Sequence, residues 1–507
     1  MAGRHAKFAL CFTPLLFAAA GAHGADVKQA GEVKLEDVVS SAMTQSNAVL
    51  QADAKVKQAS GQLQQAEGAF DWTVSGHSGW QRLYLPKIRN GVFTDETEVT
   101  SAIPIEAGIS KKFTNGISIQ PGVTFYANTA ASNAQTFGLT KPRPHFNVTV
   151  PLWQGSGTDN PLAARAHAAE KSLQGSRFEN DYARGLAVHD AVQIYWRCLA
   201  LREQTQIAQV AEDDSLDYDA LLKRQTQTGQ LEPAELDRAT ADQAVKHVEV
   251  TKGRLAEKSC LRQLGQAMGA SGAAPATVSG AFPDMGAMAD DVTHLNEAAM
   301  TDLALRNRLD LQALHQYAAA AGEQVKGADN GLGPQVDLSL DTDGVFVNLS
   351  KSLEGNVENG TLAAAQAQET IARLNLRQAE DQVRRDIADQ VEAMKAALAD
   401  WRGLSHSADL MEGVVASARK RAAAGFITRA AQSDAETARA QTRQAMVDAQ
   451  LRFCAALAAL RLSTGTVAAQ PGAPAGSLAL LFRTLPGPGP APMPAPTGAA
   501  PQQPTGD

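Results

Sequence analysis

Cysteine and histidine are the residues of this sequence that could bind a metal ion or carry out nucleophilic chemistry. The four cysteines, at positions 11, 198, 260 and 454, form no CxxC pair, so their spacing predicts neither a zinc site nor a disulfide framework. The ten histidines are scattered, and no two of them have ligand spacing on one helical face. HExxH, GxxxxGK[ST], GxSxG and GxGxxG motifs are missing as well. We therefore expect no catalytic residues, no metal site and no cofactor, and predict that the protein is not an enzyme.

The composition narrows the class of protein further. The chain has 507 residues with 46 basic and 54 acidic side chains, a formal net charge of -8, which argues against nucleic acid as a partner held by a broad basic face. Hydrophobic residues make up 44% of the chain but aromatic residues only 5%. This composition favours closely packed helices over one large globular core.

The amino-terminal segment, 1–25, has the order of a secretory signal peptide. Basic side chains precede the apolar run Phe8–Ala20, and small residues follow it. We expect cleavage between Ala22 and Ala25, which removes Cys11 with the signal. The rest of the chain has no segment of about 18 consecutive apolar residues, so no transmembrane helix is predicted. Contact with a membrane would have to come from strands.

The body of the chain contains an internal repeat. Ala59, Ala66 and Val74 match residues of the same types 262 positions later, and the segment from Gly229 to Gly269 matches residues 196 positions later. Each copy has the order helix, strands, long helix, turn, helix. Long stretches without proline permit long helices, and a helix from 162 to 227 would measure about 100 Å. The predicted division is a first repeat at 26–269, a linker at 270–294, a second repeat at 295–465 and a disordered tail rich in Pro, Gly and Ala at 466–507.

Between the helices, the hydrophobic period changes from that of a helix to that of a strand. Residues 70–153 contain alternating segments such as Trp72–Trp80 and Phe146–Leu152, whereas 334–351 offers only two short strands. Alternation ended by aromatic residues is typical of a transmembrane barrel, although a soluble half-buried sheet would show the same pattern. One chain supplies four to six strands, and the smallest useful membrane barrel has about eight. A chain that spans a membrane must therefore oligomerise.

From Leu35 to Gly465 the sequence resembles the TolC-type outer-membrane efflux proteins. The resemblance rests on the duplicated plan, on the Pro-Leu and Gly element in Val150–Gly155, and on two helical-hairpin tips at Thr228–Glu235 and Ala424–Ala430. It implies a mainly α fold in which coiled-coil hairpins form an α-barrel and trimerisation completes a transmembrane β-barrel. Each protomer of the family gives four strands to a twelve-stranded barrel, and a mixed equatorial domain lies near mid-height of the helices.

The same resemblance implies a function. Such proteins are homotrimeric exit ducts of tripartite efflux pumps or type I secretion systems. They lie in outer-membrane lipid, extend into the periplasm and receive energy from an inner-membrane pump through a periplasmic adaptor, also called a membrane fusion protein. The sequence-based alternative is a periplasmic coiled-coil scaffold that never enters lipid, which the short strands at 334–351 favour. The region 98–126 is an additional hairpin beyond the family plan, and the sequence leaves its relation to the membrane open.

Candidate site residues come from the two tips. The resemblance places the docking of the adaptor at Gly229, Leu231, Gly425 and Ile427, although each glycine could simply end a helix. It also assigns gate carboxylates at the periplasmic entrance to Glu235 and Asp434, where like charges around a narrow axis would attract cations and repel one another. A solvated acidic turn is the plainer alternative. Ala431 replaces a further gate carboxylate of the family, and we expect Asp237 to substitute for it in part.

Two cysteines are placed symmetrically about the first tip. Cys198 precedes Gly229 by the same distance in sequence as Cys260 follows it, so a hairpin that turns at Gly229 brings the two cysteines to the same height. An oxidising compartment would permit a disulfide between them. Because the spacing does not fix the direction of the side chains, the prediction we favour is two buried free thiols.

Overall fold

Two very long helical hairpins and one antiparallel sheet make up most of the chain. The computed structural model describes residues 31–89, 92–129, 138–139, 141–228, 232–270, 274–467 and 475–486. The predicted signal peptide and the last part of the tail lie outside these residues. Among the described helices, none combines the length and the apolar character needed to cross a membrane.

The helices fall into two series of similar lengths. Leu309 and Asn47 begin matching helices at the first offset of the sequence repeat, and Arg429 and Pro233 do so at the second. These matches support our proposal that the second half of the chain repeats the first. The described residues form ten α-helices: α1 (Leu35–Gln45), α2 (Asn47–Glu67), α3 (Pro161–Gln227), α4 (Pro233–Ala267), α5 (Ala289–Thr293), α6 (Glu297–Asn307), α7 (Leu309–Asn330), α8 (Asn356–Ala423), α9 (Arg429–Ser463) and α10 (Ala475–Leu481).

The longest helices have clear start signals. The side chain of Asn160 accepts hydrogen bonds from the backbone N–H groups of Leu162 and Ala163, and Pro161 occupies the first turn of α3, where its missing donor costs nothing. Helix α3 has 67 residues and α8 has 68, so each is about 100 Å long. The lengths predicted from the proline-free stretches therefore agree with the structure.

The strands form one short parallel pair and one large sheet. In the large sheet the order is β10-β9-β7-β5-β4-β2, with β3 pairing further along β4 and β6 further along β5, and every pairing is antiparallel. The sheet thus has six strand positions, and both halves of the chain contribute to it. Ten strands lie within the part of the chain that the structure describes: β1 (Glu32–Val33), β2 (Thr73–Ser78), β3 (Gln81–Arg89), β4 (Val92–Lys112), β5 (Ser118–Thr129), β6 (Gly138–Leu139), β7 (Arg143–Pro151), β8 (Thr277–Val278), β9 (Gln335–Asp341) and β10 (Gly344–Ser350).

A buried core ties the two halves together below the sheet. One cluster joins α1, α3, α4 and α9 around Tyr195 and Trp196, and a second joins α8 and α9 around Met394 and Phe453. In the first cluster Cys198 and Cys260 form a disulfide with a Cα–Cα distance of 5.5 Å. The prediction of two free thiols was therefore wrong, because the two side chains do face each other across α3 and α4.

The segment after α9 also differs from the prediction. Residues 466–507 were expected to be disordered, but α10 packs on α1 and the side chain of Phe482 is buried. The buried guanidinium of Arg461 donates hydrogen bonds to the carbonyl oxygens of Thr484 and Leu485, at 2.8 Å and 2.6 Å. A seven-residue apolar helix and backbone acceptors for a buried cation thus fix this part of a proline-rich segment.

Candidate functional site

The second hairpin turns at the predicted glycine. Gly425 has a φ of +79°, and its N–H donates to the carbonyl of Ala422 while the N–H of Phe426 donates to that of Arg421. This pair of bonds is the Schellman motif, which satisfies the last carbonyls of α8. The side chain of Phe426 is 78% exposed, whereas the side chain of Ile427, the predicted docking residue, is only partly exposed. The exposed apolar side chain at this tip is therefore that of Phe426, next to the predicted Ile427.

The first tip is described only at its two sides. Gly229 and Leu231, two of the predicted docking residues, lie outside the described residues. Helix α3 ends at Gln227, and α4 begins with Pro233 in its first turn. Glu235 also lies in the first turn of α4, where the helix dipole favours a negative charge.

The three predicted gate carboxylates are exposed. Within the described part of the chain, Glu235, Asp237 and Asp434 form no ion pair, and no group of acidic, histidine or cysteine side chains is arranged to hold a metal ion. Burial raises the pKa of Tyr218 on α3, and the charges of Glu235 and Asp434 raise it further. The charges of Glu235 and Asp434 therefore both act on the hydroxyl group of Tyr218.

A network of ion pairs, which the sequence did not predict, joins the two hairpins. Asp214 on α3 accepts hydrogen bonds from Arg419 on α8 and from Arg439 on α9, both at 2.9 Å. Arg419 also donates to Glu436 of α9 at 2.7 Å, and Arg439 lies 3.8 Å from Glu412 of α8. We call these five residues the hairpin tie. One carboxylate of the first half thus holds two arginines of the second half.

The groups of the hairpin tie differ in how well they are solvated. The side chains of Arg439 and Glu436 are largely buried, whereas that of Arg419 is about half exposed. Burial raises the pKa of the Asp214 carboxyl, and Glu436 adds to the rise, although Arg419 and Arg439 lower it. The hydrogen bond to Glu436 raises the pKa of Arg419. The arginines therefore hold together two carboxylates that would otherwise repel each other.

One sequence signal could have revealed the hairpin tie. Asp214 precedes Gly229 by nearly the same distance in sequence as Arg439 follows Gly425. Opposite charges at equal distances from two hairpin tips come to the same height when the hairpins lie side by side. Which helix faces which, however, depends on tertiary packing and not on spacing.

The sheet at the other end of the hairpins has two different faces. The strand registers place the apolar side chains of all six strand positions on one face. The opposite face carries mostly Ser, Thr, Asn and charged side chains, with His77 opposite Glu106 and with Pro104, Pro151 and Phe346 as apolar exceptions. The exposed members of the apolar face are Val74, Ile105, Ile109, Phe146, Leu340, Val345, Val347 and Leu349.

The structure thus consists of two matched hairpins with rods of about 100 Å, joined to one antiparallel sheet. The predicted fold class, mainly α with a sheet that a single copy does not close, is confirmed by the solved structures to which the chain is similar. No family model and no curated protein matches the chain.

Three of these solved structures show the extent of the similarity. The CmeC outer membrane channel of Campylobacter jejuni has a TM-score of 0.63 at 12% identity, covering 89% of this chain and 90% of its own. The outer membrane protein VceC of Vibrio cholerae has a TM-score of 0.61 at 16% identity, covering 85% and 96%. The open state of the Neisseria gonorrhoeae MtrE outer membrane channel has a TM-score of 0.58 at 12% identity, covering 85% and 88%. At these identities the similarity establishes the fold.

Proposed function

We propose that the protein is the outer-membrane exit duct of an efflux system and works as a homotrimer. The observation that carries this proposal is the apolar face, which continues across all six strand positions of the sheet and has exposed side chains on five of them. Burying such a face is favourable in lipid, whereas a water-soluble protein would cover it with another layer of structure. The six-stranded sheet leaves one side of β2 and of β10 open among the described strands, so further copies are needed to satisfy their backbone groups.

The helical hairpins would then extend from the sheet into the periplasm. At about 100 Å they are long enough to carry the duct well away from the membrane. We place the periplasmic gate at Glu235 and Asp434 and the docking of the adaptor at the tips around Phe426. Opening requires the hairpins of the two halves to separate, which breaks the hairpin tie. The duct itself is passive, and an inner-membrane pump reached through the adaptor supplies the energy.

Cell fractionation tests this proposal with the full-length chain. Expressed with its leader, the protein should be recovered in the outer-membrane fraction after detergent extraction. It should also migrate as a trimer in an unheated gel and as a monomer after boiling. The purified trimer should conduct ions in a planar bilayer. Recovery as a stable monomer in the detergent-free periplasmic fraction would refute the proposal.

One observation favours the alternative, a periplasmic scaffold. Strands β9 and β10 have seven residues each, which is about 23 Å along the strand and shorter than the roughly 9–11 residues of ordinary membrane strands. The scaffold predicts recovery in the soluble periplasm and no conductance. The same fractionation therefore decides between the two functions.

A further inference from the structure

The β4–β5 hairpin, Val92–Thr129, is the part of the sheet that exceeds the family plan of two strands from each half of a protomer. It lies in the middle of the sheet, between β2 and β7, and its lower part is paired on both sides. Ile105 lies opposite Phe125, and Ala107 lies opposite Val123, on the same face as Val74 of β2. The apolar face is therefore continuous through the hairpin.

The stagger of the strands gives their tilt. Each residue has a paired residue on the next strand, and these pairs form rows across the sheet. The row that starts at Thr73, the first residue of β2, crosses β4, β5, β7 and β9 and ends at Gly344, the first residue of β10. Strand β10 ends six residues later, at Ser350. Six residues of about 3.3 Å over five strand spacings of about 4.8 Å correspond to a tilt of about 40°. Membrane barrels have strand tilts of about 35–45°.

The lower ends of the intervening strands test this tilt independently. A straight line drawn from Thr73 to Ser350 passes within about one residue of each of these ends. The ends of β4 and β5 lie on the line as closely as those of β7 and β9. The hairpin therefore starts in the same plane as the other strands and shares their tilt. The four intervening ends are Lys112, Ser118, Pro151 and Gln335.

Two pairs of aromatic and basic side chains mark the borders of the apolar band. At the lower border, Lys111 Nζ lies 5.2 Å from the ring centroid of Trp72, just before β2. At the upper border, the guanidinium carbon of Arg82 lies 5.2 Å from the ring centroid of Trp80, just after β2. Eight residues at a tilt of about 40° separate the two tryptophans by about 20 Å, close to the roughly 25 Å apolar band of membrane barrels. Aromatic rings beside basic groups suit the headgroup region of a bilayer.

These observations concern the proposed duct and rest on that function. We propose that the lower part of the β4–β5 hairpin contacts lipid acyl chains as part of the wall, so that each copy contributes six strands rather than four. The six strand directions alternate, so β10 of one copy runs antiparallel to β2 of the next and three copies close an eighteen-stranded ring. Because barrel diameter grows roughly in proportion to strand number, this ring is about 1.5-fold wider than one of twelve strands. Strand β3 and the first half of β4 extend beyond Trp80, outside the band.

Site-directed labelling of the full-length trimer tests the position of the hairpin. We would place single cysteines at Ile109 of β4, at Val347 of β10 and at Gln120 on the polar face of β5. Each would be labelled with bimane and reconstituted in phosphatidylcholine vesicles that carry nitroxides on the acyl chains. The bonded Cys198–Cys260 pair and the buried Cys454 give little background.

The proposal predicts that bimane at Ile109→Cys and at Val347→Cys is quenched about two-fold or more, and that bimane at Gln120→Cys is nearly unaffected. Quenching at Val347 without quenching at Ile109 would overturn the six-stranded wall and leave the proposed duct intact. A lack of quenching at both positions would refute the duct itself. If Ile109→Cys does not form trimers, Val123→Cys on β5 carries the same readout, because it lies on the same face.

Discussion

Arg439 joins the two hairpins through Asp214, and replacing it with methionine is the most direct test of the proposed gate. Its side chain is 11% exposed and bonds to Asp214, whose side chain is 23% exposed. Methionine keeps much of the apolar stem and removes the cation. Asp214 then faces Glu436 with only the more exposed Arg419 between them, so the closed arrangement of the hairpins loses stability.

The size of this effect follows from the degree of burial. Removing one partner of a fully buried pair costs about 3–5 kcal/mol, whereas exposed pairs are worth about 0–1 kcal/mol. The Asp214–Arg439 pair lies between these limits, so we expect about 2 kcal/mol per protomer. This corresponds to a shift of about 30-fold in the equilibrium between closed and open hairpins.

Single-channel recording in planar bilayers measures this shift as the fraction of time that the trimer is open. The matched control is Arg443→Met, since Arg443 lies one turn further along α9 and, among the described residues, pairs with Glu412 of the same hairpin and not with Asp214. We expect a higher open fraction for Arg439→Met and a nearly unchanged one for Arg443→Met. Equal open fractions in the two variants would show that the hairpin tie does not keep the gate closed.

Three further predictions concern titration, the disulfide and the tip. Burial raises the pKa of the Asp214 carboxyl, so this carboxyl binds a proton more tightly in packed hairpins than in separated ones. Protonation should therefore favour the packed hairpins below the ordinary pKa of the carboxyl, and this contribution should be lost as the pH rises through the raised pKa. A pH series of the open fraction measures the effect. Replacing Cys198 and Cys260 with alanine should lower the free energy of unfolding by up to about 4 kcal/mol, because the disulfide joins positions 62 apart in sequence. Denaturant unfolding measures this loss, and a reductant should lower the stability of the wild type but not that of the variant. Gly425→Ala should cost about 1–2 kcal/mol in thermal unfolding because its φ is +79°, whereas Gly413→Ala, in the open interior of α8, should be neutral or stabilising.

Local rules were sufficient for the helices and their ends. Proline is disfavoured in helix interiors, so the proline-free stretch from 162 predicts α3 to within a residue or two of its observed bounds. Glycine alone adopts a positive φ without strain, so Gly425 predicts the second turn. These features depend only on residues near in sequence, which is why the fold could be predicted without a structure.

The features that could not be predicted from the sequence depend on which faces of the helices pack against each other. The spacing of Cys198 and Cys260 puts them at one height, but only the rotation of α3 against α4 makes them face each other. The hairpin tie needs α3 to lie against α8 and α9, which no local pattern specifies. The order of residues 475–486 depends on a buried cation, Arg461, from another segment. Composition alone describes that segment as loose.

The position of the disulfide has a consequence for biogenesis. Both cysteines belong to the first half of the chain, and the bond encloses the whole first hairpin tip, from Cys198 to Cys260. In a polypeptide translocated with its amino terminus leading, an oxidase could seal this hairpin before residues beyond 295 emerge. The second half of the chain would then pack against a first hairpin whose geometry the disulfide has already fixed.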